Sequence, residues 1–153
     1  MALKIKHGDL FKHATSNCII AHGCNAKGVM GSGFARQIKE KFPEAYEAYT
    51  CQHKAGGLFL GDIITYYSGE DNIMVANCIT QADYGRNPTV TYVDYQSVFK
   101  SLIIIANYQK RIAPDMHIHL PLIGGGLANG NRDILLENFI QIFADSDATL
   151  WLH

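Results

Sequence analysis

Apolar and polar positions along the chain predict alternating strands and helices. Residues 3–7 alternate with period two, which is typical of an outer strand, whereas the more continuous apolar run at 17–21 predicts a central strand covered on both faces. The β-rich runs 62–67 and 73–78 are separated by a polar turn and predict an antiparallel hairpin. The strands predicted in this way cover residues 3–7, 17–21, 62–67, 73–78, 117–120 and 148–152.

Helical spacing fills most of the gaps between these strands. Apolar residues recur every four positions from Gly33 to Phe42, and Pro43 marks the end of that helix or the start of another. A short helix is predicted over 44–51, with Tyr46 and Tyr49 facing inward. One long helix follows, with apolar residues from Tyr95 to Ala106 along one face, and runs out before Pro114. The last helix carries Leu135, Phe139 and Ile142 after an N-cap at Asn131 with Asp133 in its first turn. The order of elements predicts an α/β protein with a mixed sheet.

Two connections are unusually rich in glycine, at residues 22–34 and 121–131. The strand at 17–21 is expected to deliver His22 to Asn25 into the first of these loops. Both loops should lie at the carboxyl ends of strands, where open α/β sheets form their ligand crevice, and the helix starts behind them can hold an anion. If the loops flank one crevice, they would bind a pyrophosphate from two sides. Neither matches GxGxxG or GxxxxGK[ST], and a single glycine loop is most often only a tight turn.

Composition narrows the class of ligand. Thirteen basic and fourteen acidic residues give a net charge of -1, so no overall field recruits nucleic acid or an anionic membrane, whereas a small charged metabolite fits. With 153 residues and 48% apolar residues, the chain is expected to form a single domain over 1–153. The apolar runs are too short for a bilayer and there is no signal-peptide core, which favours a cytoplasmic protein. The four cysteines lack zinc-like spacing and are expected to be reduced thiols. A monomer is expected.

A few polar residues are candidates for chemistry. His22 can relay protons near neutral pH, and Asn25 can orient a sugar hydroxyl or a water through its donor and acceptor atoms. Equally, His22 can simply complete the strand, and Asn25 can bond neighbouring backbone. His117 and His119 share one face of a strand, but no third ligand accompanies them at a convincing spacing. We therefore predict no metal and no cofactor.

Taken together, these segments resemble the macrodomains, a family of ADP-ribose-recognising α/β proteins. The resemblance spans essentially the whole chain and rests on Gly8-Asp9-Leu10, on His22-Gly23-Cys24-Asn25 followed by Gly28-Val29-Met30-Gly31-Ser32-Gly33-Phe34-Ala35, and on Pro121-Leu122-Ile123-Gly124-Gly125-Gly126-Leu127. It is closest to the compact branch that includes ADP-ribose 1''-phosphate phosphatases. It implies a three-layer α/β/α sandwich with a mixed, mostly parallel central sheet of about six strands.

The resemblance also implies roles for individual residues. Asp9 would accept a hydrogen bond from the adenine amino group, helped by the backbone of Leu10 and the neighbouring Gly8. Asn25, next to Gly23 and Cys24, would bind the distal ribose. Amides would be supplied to the phosphates and distal ribose by Met30, Gly31, Ser32, Gly33, Phe34 and Ala35. The pyrophosphate would be closed in from the other side by Pro121, Leu122, Ile123, Gly124, Gly125, Gly126 and Leu127.

This chain departs from the family pattern at positions that distinguish the family's activities. Family members that remove ADP-ribose from side chains or bases share a lysine in the loop after the central hairpin. This chain has no lysine there, and its loop reads Thr80-Gln81-Ala82-Asp83-Tyr84-Gly85-Arg86. The resemblance therefore favours a phosphatase that hydrolyses ADP-ribose 1''-phosphate, with water near Asn25 and His22 as proton carrier. Two alternatives remain: a non-catalytic ADP-ribose-binding module, and an ADP-ribosyl hydrolase of modified protein or nucleic acid that uses Asp83.

Overall fold

The computed structural model describes residues 2–152, in which one mixed sheet runs through the molecule. Its strands are β1 (Lys4–His7), β2 (Cys18–Asn25), β3 (Ile63–Ser68), β4 (Ile73–Gln81), β5 (His117–Pro121) and β6 (Ala148–Leu152). They are arranged in the order β1-β6-β5-β2-β4-β3. Every neighbouring pair is parallel except β3 with β4, which forms the predicted hairpin. The prediction of a mixed, mostly parallel sheet is confirmed.

Helices cover both faces of this sheet. They are α1 (Gly33–Lys41), α2 (Pro43–Ala55), α3 (Tyr95–Arg111) and α4 (Arg132–Ile142), and a short 3-10 turn spans Leu10–Lys12. Alternate residues of β2 point to opposite layers: Ile19 packs with apolar residues of α3 and α4, whereas Ile20 packs with those of α1 and α2. The two cores confirm the three-layer sandwich. No helix within residues 2–152 has the length and apolarity to cross a membrane.

The central strand is longer than the apolar pattern predicts. His22 to Asn25 belong to β2 and pair with β4, so the expectation that they enter a loop is wrong. Likewise, residues 79–81 continue β4 instead of starting the loop that follows. Polar residues are tolerated in these strand ends because they find partners across the sheet; the His22 imidazole, for example, lies 2.6 Å from the Asn77 Oδ1 atom.

Smaller differences concern the ends of elements. Strand β1 lies at the edge, as predicted, but all four of its side chains are exposed, so its apolar alternation does not mark a buried face. Helix α2 begins at Pro43, which is favourable at a first helical position, and runs to Ala55, beyond the predicted end. Asn131 is the N-cap of α4, where its side chain accepts a hydrogen bond from the Ile134 amide at 3.1 Å. Residues 1 and 153 of the predicted domain lie outside the described residues.

Candidate functional site

A cavity of about 630 Å³ opens at the carboxyl ends of β2, β4 and β5. Its walls include both glycine-rich loops, so the two segments that are distant in sequence do meet around one space. The first loop contributes Gly31, Ser32, Gly33, Phe34 and Ala35, and the second contributes residues 121–128. Gly23, Cys24 and Asn25 line the cavity between the two loops. Met30 is the exception among the predicted loop residues, because its side chain is buried in the core and does not line the cavity.

Asn25 organises the first loop through its side chain. Its Nδ2 donates to the Val29 carbonyl at 2.8 Å, and its Oδ1 accepts from the Lys27 amide at 3.0 Å. The buried Tyr49 hydroxyl, on α2, lies 2.6 Å from the Asn25 carbonyl oxygen and 2.9 Å from Oδ1. Burial raises the pKa of Tyr49 well above its ordinary value, so that the hydroxyl stays protonated. These bonds fix the loop and leave one Nδ2 hydrogen of Asn25 for a ligand.

Main-chain donors are available on both sides of the cavity. Helix α1 begins at Gly33 without a side-chain hydrogen bond from its N-cap, Ser32. Within residues 2–152, the N–H groups of Gly31 and Ser32 in one loop, and of Gly126 and Leu127 in the other, have no protein acceptor. Unpaired amides at a helix start and in a glycine loop can hold an anion.

The second loop depends on one glycine for its shape. Gly124 has φ +88, in the left-handed region, and a Cβ built there would lie 2.6 Å from the Val93 side chain. The Gly130 amide donates to the Gly124 carbonyl at 2.7 Å and closes the loop at its base. Gly126, by contrast, has open space where a side chain would stand. Conformation and packing therefore require glycine at 124 but not at 126.

A smaller depression adjoins the cavity and contains the remaining predicted binding residues, Gly8, Asp9 and Leu10. Asp9 caps the 3-10 turn, because its Oδ1 accepts a hydrogen bond from the Phe11 amide at 3.0 Å. Phe34 and Trp151 line both the depression and the cavity. The two spaces therefore lie side by side and share a wall. We call the larger the main cavity and the smaller the Asp9 end, and refer to both together as the cleft.

Comparisons with known proteins agree with this geometry. No family model matches the chain. The chain is 30% identical over 148 residues to a protein of Meyerozyma guilliermondii named ADP-ribose 1''-phosphate phosphatase, and the match covers 80% of this chain and 83% of the relative. The chain belongs to the macrodomain family. Its fold is similar to that of the macrodomain of Mycobacterium tuberculosis DarG, with a TM-score of 0.81 at 21% identity, covering 99% of this chain and 97% of that one.

A second solved structure resembles this macrodomain over its whole length. Thermosipho africanus DarTG, determined in complex with ADP-ribose, has a TM-score of 0.81 and 19% identity. The match covers 100% of this chain and 42% of that chain. At this identity the likeness establishes the shared fold.

One wall of the main cavity was not predicted from the sequence. After β4 the chain forms a segment over residues 82–92, and the cavity is lined there by Tyr84, Gly85 and Arg86, with Thr80 and Gln81 at the strand end. Further lining residues that were not predicted are Val29, Gln37, Ala128, Arg132, Trp151 and Leu152. The available signal was topological: β4 is the parallel neighbour of β2, so its carboxyl end must lie beside Asn25.

Titratable side chains at the macrodomain's main cavity are few. Arg86 and Arg132 supply positive charge, and no carboxylate, lysine or histidine lines the cavity within the described chain. Asp83 also lies outside the lining; its Oδ1 accepts from the adjacent Tyr84 amide at 2.8 Å. Burial raises the pKa of the Cys24 thiol, which keeps it protonated. The chemistry available here is binding of anions by amides and guanidinium groups.

His22 lies behind the cavity wall and not on it. It is fully buried, and burial lowers its pKa to about 4 despite the hydrogen bond with Asn77. Asn77 in turn donates to the Ala45 carbonyl at 3.1 Å, which connects β4 to α2. The structure therefore does not bring His22 to the site predicted for a proton carrier, and it supports the alternative interpretation that His22 completes the strand.

The other histidine pair belongs to the framework of the Asp9 end. His119 Nδ1 accepts from the Trp151 indole N–H at 2.9 Å, and burial lowers the pKa of His119 to about 4. Its neighbour His117 lies 2.9 Å from the Asp147 carboxylate. His119 thus positions Trp151 from behind, and His117 packs against His119. No group of three or more potential metal ligands occurs within residues 2–152.

Proposed function

We propose that this macrodomain binds ADP-ribose in its cleft and hydrolyses ADP-ribose 1''-phosphate to ADP-ribose and phosphate. The observation that carries the proposal is that residues with unpaired main-chain donors, from two distant glycine loops, line one cavity of about 630 Å³. That volume lies within the range of about 300–1,000 Å³ common for small-molecule sites. The relatives named ADP-ribose 1''-phosphate phosphatase support the choice of substrate.

The ligand would lie along the cleft with its adenine at the Asp9 end. Since Oδ1 of Asp9 already accepts a hydrogen bond from the Phe11 amide, the Oδ2 atom of Asp9 would accept one from the adenine amino group. The diphosphate would lie between the amides of the first and second loops, and Phe34 and Trp151 would supply apolar contact near the base. The distal ribose would then reach Asn25, whose remaining Nδ2 hydrogen points to a sugar hydroxyl or water in this proposal.

In the proposed reaction, a water oxygen attacks the phosphorus of the 1''-phosphate. A new oxygen–phosphorus bond forms, the bond between phosphorus and the 1''-oxygen breaks, and the distal ribose leaves with that oxygen. One proton of the water goes to the ribose oxygen as the new hydroxyl group, and the other remains with the released phosphate. Asn25 would hold the water, while the loop amides hold the diphosphate and thereby orient the distal ribose and its phosphate for attack.

A non-catalytic ADP-ribose-binding module is a second candidate. The observation that favours it is the lining itself, which within residues 2–152 holds no histidine, carboxylate or lysine, the side chains that most often act as general bases. The third alternative, an ADP-ribosyl hydrolase using Asp83, has less support because Asp83 does not line the cavity.

Two measurements on the purified protein separate these candidates. Calorimetric titration with ADP-ribose tests the cleft, and phosphate release from ADP-ribose 1''-phosphate tests turnover. The proposal expects binding and phosphate release, each lost when the second loop is disrupted. Binding without release would favour the module, and release of ADP-ribose from a labelled modified protein would favour the hydrolase. Absence of ADP-ribose binding would refute the proposal altogether.

A further inference from the structure

Arg86 stands out among the charged groups of the cleft. It lies on the 82–92 segment, which leaves β4 immediately after Gln81. Gln81 pairs with Asn25 across the sheet, and its carbonyl accepts from the Ala26 amide at 2.9 Å. The segment that carries Arg86 therefore begins beside Asn25, at the end of the main cavity remote from Asp9.

The Arg86 guanidinium is uncommitted within the described chain. The ion pairs among residues 2–152 are Arg36 with Glu40 and His117 with Asp147, so no carboxylate lies within 4.0 Å of Arg86. Arg86 and Arg132, the two arginines that line the main cavity, are both exposed and both lack an ion pair within residues 2–152, so each is free to pair with an anionic ligand. Guanidinium groups suit phosphate because their planar donors form paired hydrogen bonds with two oxygens.

The backbone next to Arg86 is held in place by Asn129. Asn129 has φ +59, and its Nδ2 donates both hydrogens, to the Asn87 carbonyl at 3.0 Å and to the Val90 carbonyl at 2.7 Å. Two further bonds, from the Tyr92 and Val93 amides to the Ala128 carbonyl at 2.8 and 3.3 Å, fasten the end of the segment to the second glycine loop. The position of Arg86 is thus coupled to the loop that would close over the diphosphate.

From this geometry we infer that Arg86 binds the terminal phosphate of ADP-ribose 1''-phosphate, and that Asn129 is a positioning residue for Arg86. The inference rests on the proposed function, since it takes the distal ribose to lie at Asn25. A phosphate monoester carries a charge of about −1.5 to −2 near neutral pH. Arg86 would therefore distinguish the 1''-phosphorylated ligand from ADP-ribose, while the amides bind the diphosphate that both ligands share.

The test compares dissociation constants for the two ligands in wild type and variants. Wild type is expected to bind ADP-ribose 1''-phosphate about 10- to 100-fold more tightly than ADP-ribose, as hydrogen bonds to a charged group imply. Binding is measured by rapid mixing, during the interval before turnover. Arg86→Gln should abolish this preference and leave the affinity for ADP-ribose within about twofold. Arg111→Gln, at the exposed end of α3, is the matched control and should change neither value.

Asn129→Gly tests the positioning role, because glycine keeps access to positive φ and removes only the two side-chain bonds. It should lower the affinity for the phosphorylated ligand when Arg86 is present but have no further effect on that affinity in an Arg86→Gln background. A structural defect alone would act equally in both backgrounds. If Asn129→Gly fails to fold, the Arg86→Gln result decides the main inference by itself.

The possible failures are distinguishable. Wild type that binds both ligands equally, or Arg86→Gln that keeps the preference, overturns the inference while leaving ADP-ribose binding intact. Wild type that binds neither ligand overturns the proposed function instead. If Arg86→Gln loses the preference for ADP-ribose 1''-phosphate but the wild type releases no phosphate, Arg86 still binds the terminal phosphate and only the phosphatase step is refuted.

Discussion

Replacing Gly124 with alanine should destabilise the protein strongly. A residue with a side chain at φ +88 is strained, at a cost of about 1–3 kcal/mol. The new methyl group would also lie 2.6 Å from the buried Val93 side chain, and overpacking of this type typically costs about 1–3 kcal/mol. The sum, about 2–6 kcal/mol, is a large part of the roughly 5–15 kcal/mol that stabilises an ordinary domain.

Thermal unfolding followed by calorimetry or circular dichroism measures the effect. For a chain of this size, each kcal/mol lowers the melting temperature by about 2–4 °C, so Gly124→Ala should melt about 5–20 °C below wild type. Gly126→Ala is the matched control two positions away, because nothing lies within 4 Å of the place its Cβ would take and its φ is not positive. Equal melting temperatures for the two variants would refute the reasoning from loop geometry. ADP-ribose affinity should fall with Gly124→Ala even where the variant stays folded.

Three other results are expected. Asn25→Ala should reduce phosphate release at least about 10²-fold while the dissociation constant for ADP-ribose rises less than tenfold, and equal losses in both would assign Asn25 to binding alone. ADP-ribose should change the fluorescence of Trp151, the one tryptophan of the chain, because it lines both parts of the cleft; an unchanged spectrum in a protein that binds ADP-ribose would place the base elsewhere. Burial lowers the folded-state pKa of His22 and His119 from 6.5 to about 4. Between pH 6.5 and pH 4, these histidines are therefore protonated in the unfolded chain but not in the folded protein. The free energy of unfolding should fall as the pH drops through this range. Urea titrations at about pH 7 and pH 5 should differ by about 2 kcal/mol per histidine, and a His22→Gln variant that folds should show a smaller difference.

The parts of the fold that follow local patterns were predictable from the sequence. Apolar periodicity located every strand and helix within a few residues, and glycine spacing located both loops of the cleft. The end of β2 was not predictable in this way. His22 has a polar side chain, and only its partner Asn77 on the neighbouring strand explains why it is buried.

The missing wall of the cleft has a similar cause. Arg86 has no local motif around it, and its place depends on the pairing of Asn25 with Gln81 and on the bonds from Asn129, more than forty residues further along the chain. Interactions over that sequence separation are set by the tertiary structure and leave no periodic signal. The resemblance to macrodomains supplied the general location of the cleft but not this residue.

Reliance on peptide N–H groups gives the cleft an evolutionary freedom that side-chain recognition would deny it. Every residue except proline brings such a donor, so most loop positions can exchange amino acids without losing the ligand, provided the backbone path survives. Substitution would then be least tolerated at the residues that determine the backbone path, above all Gly124, and at Asn129, whose side chain bonds the backbone of the 82–92 segment. In the proposed binding mode, substitutions in the 82–92 segment would change which ligand is preferred, while the amide contacts to the diphosphate would remain.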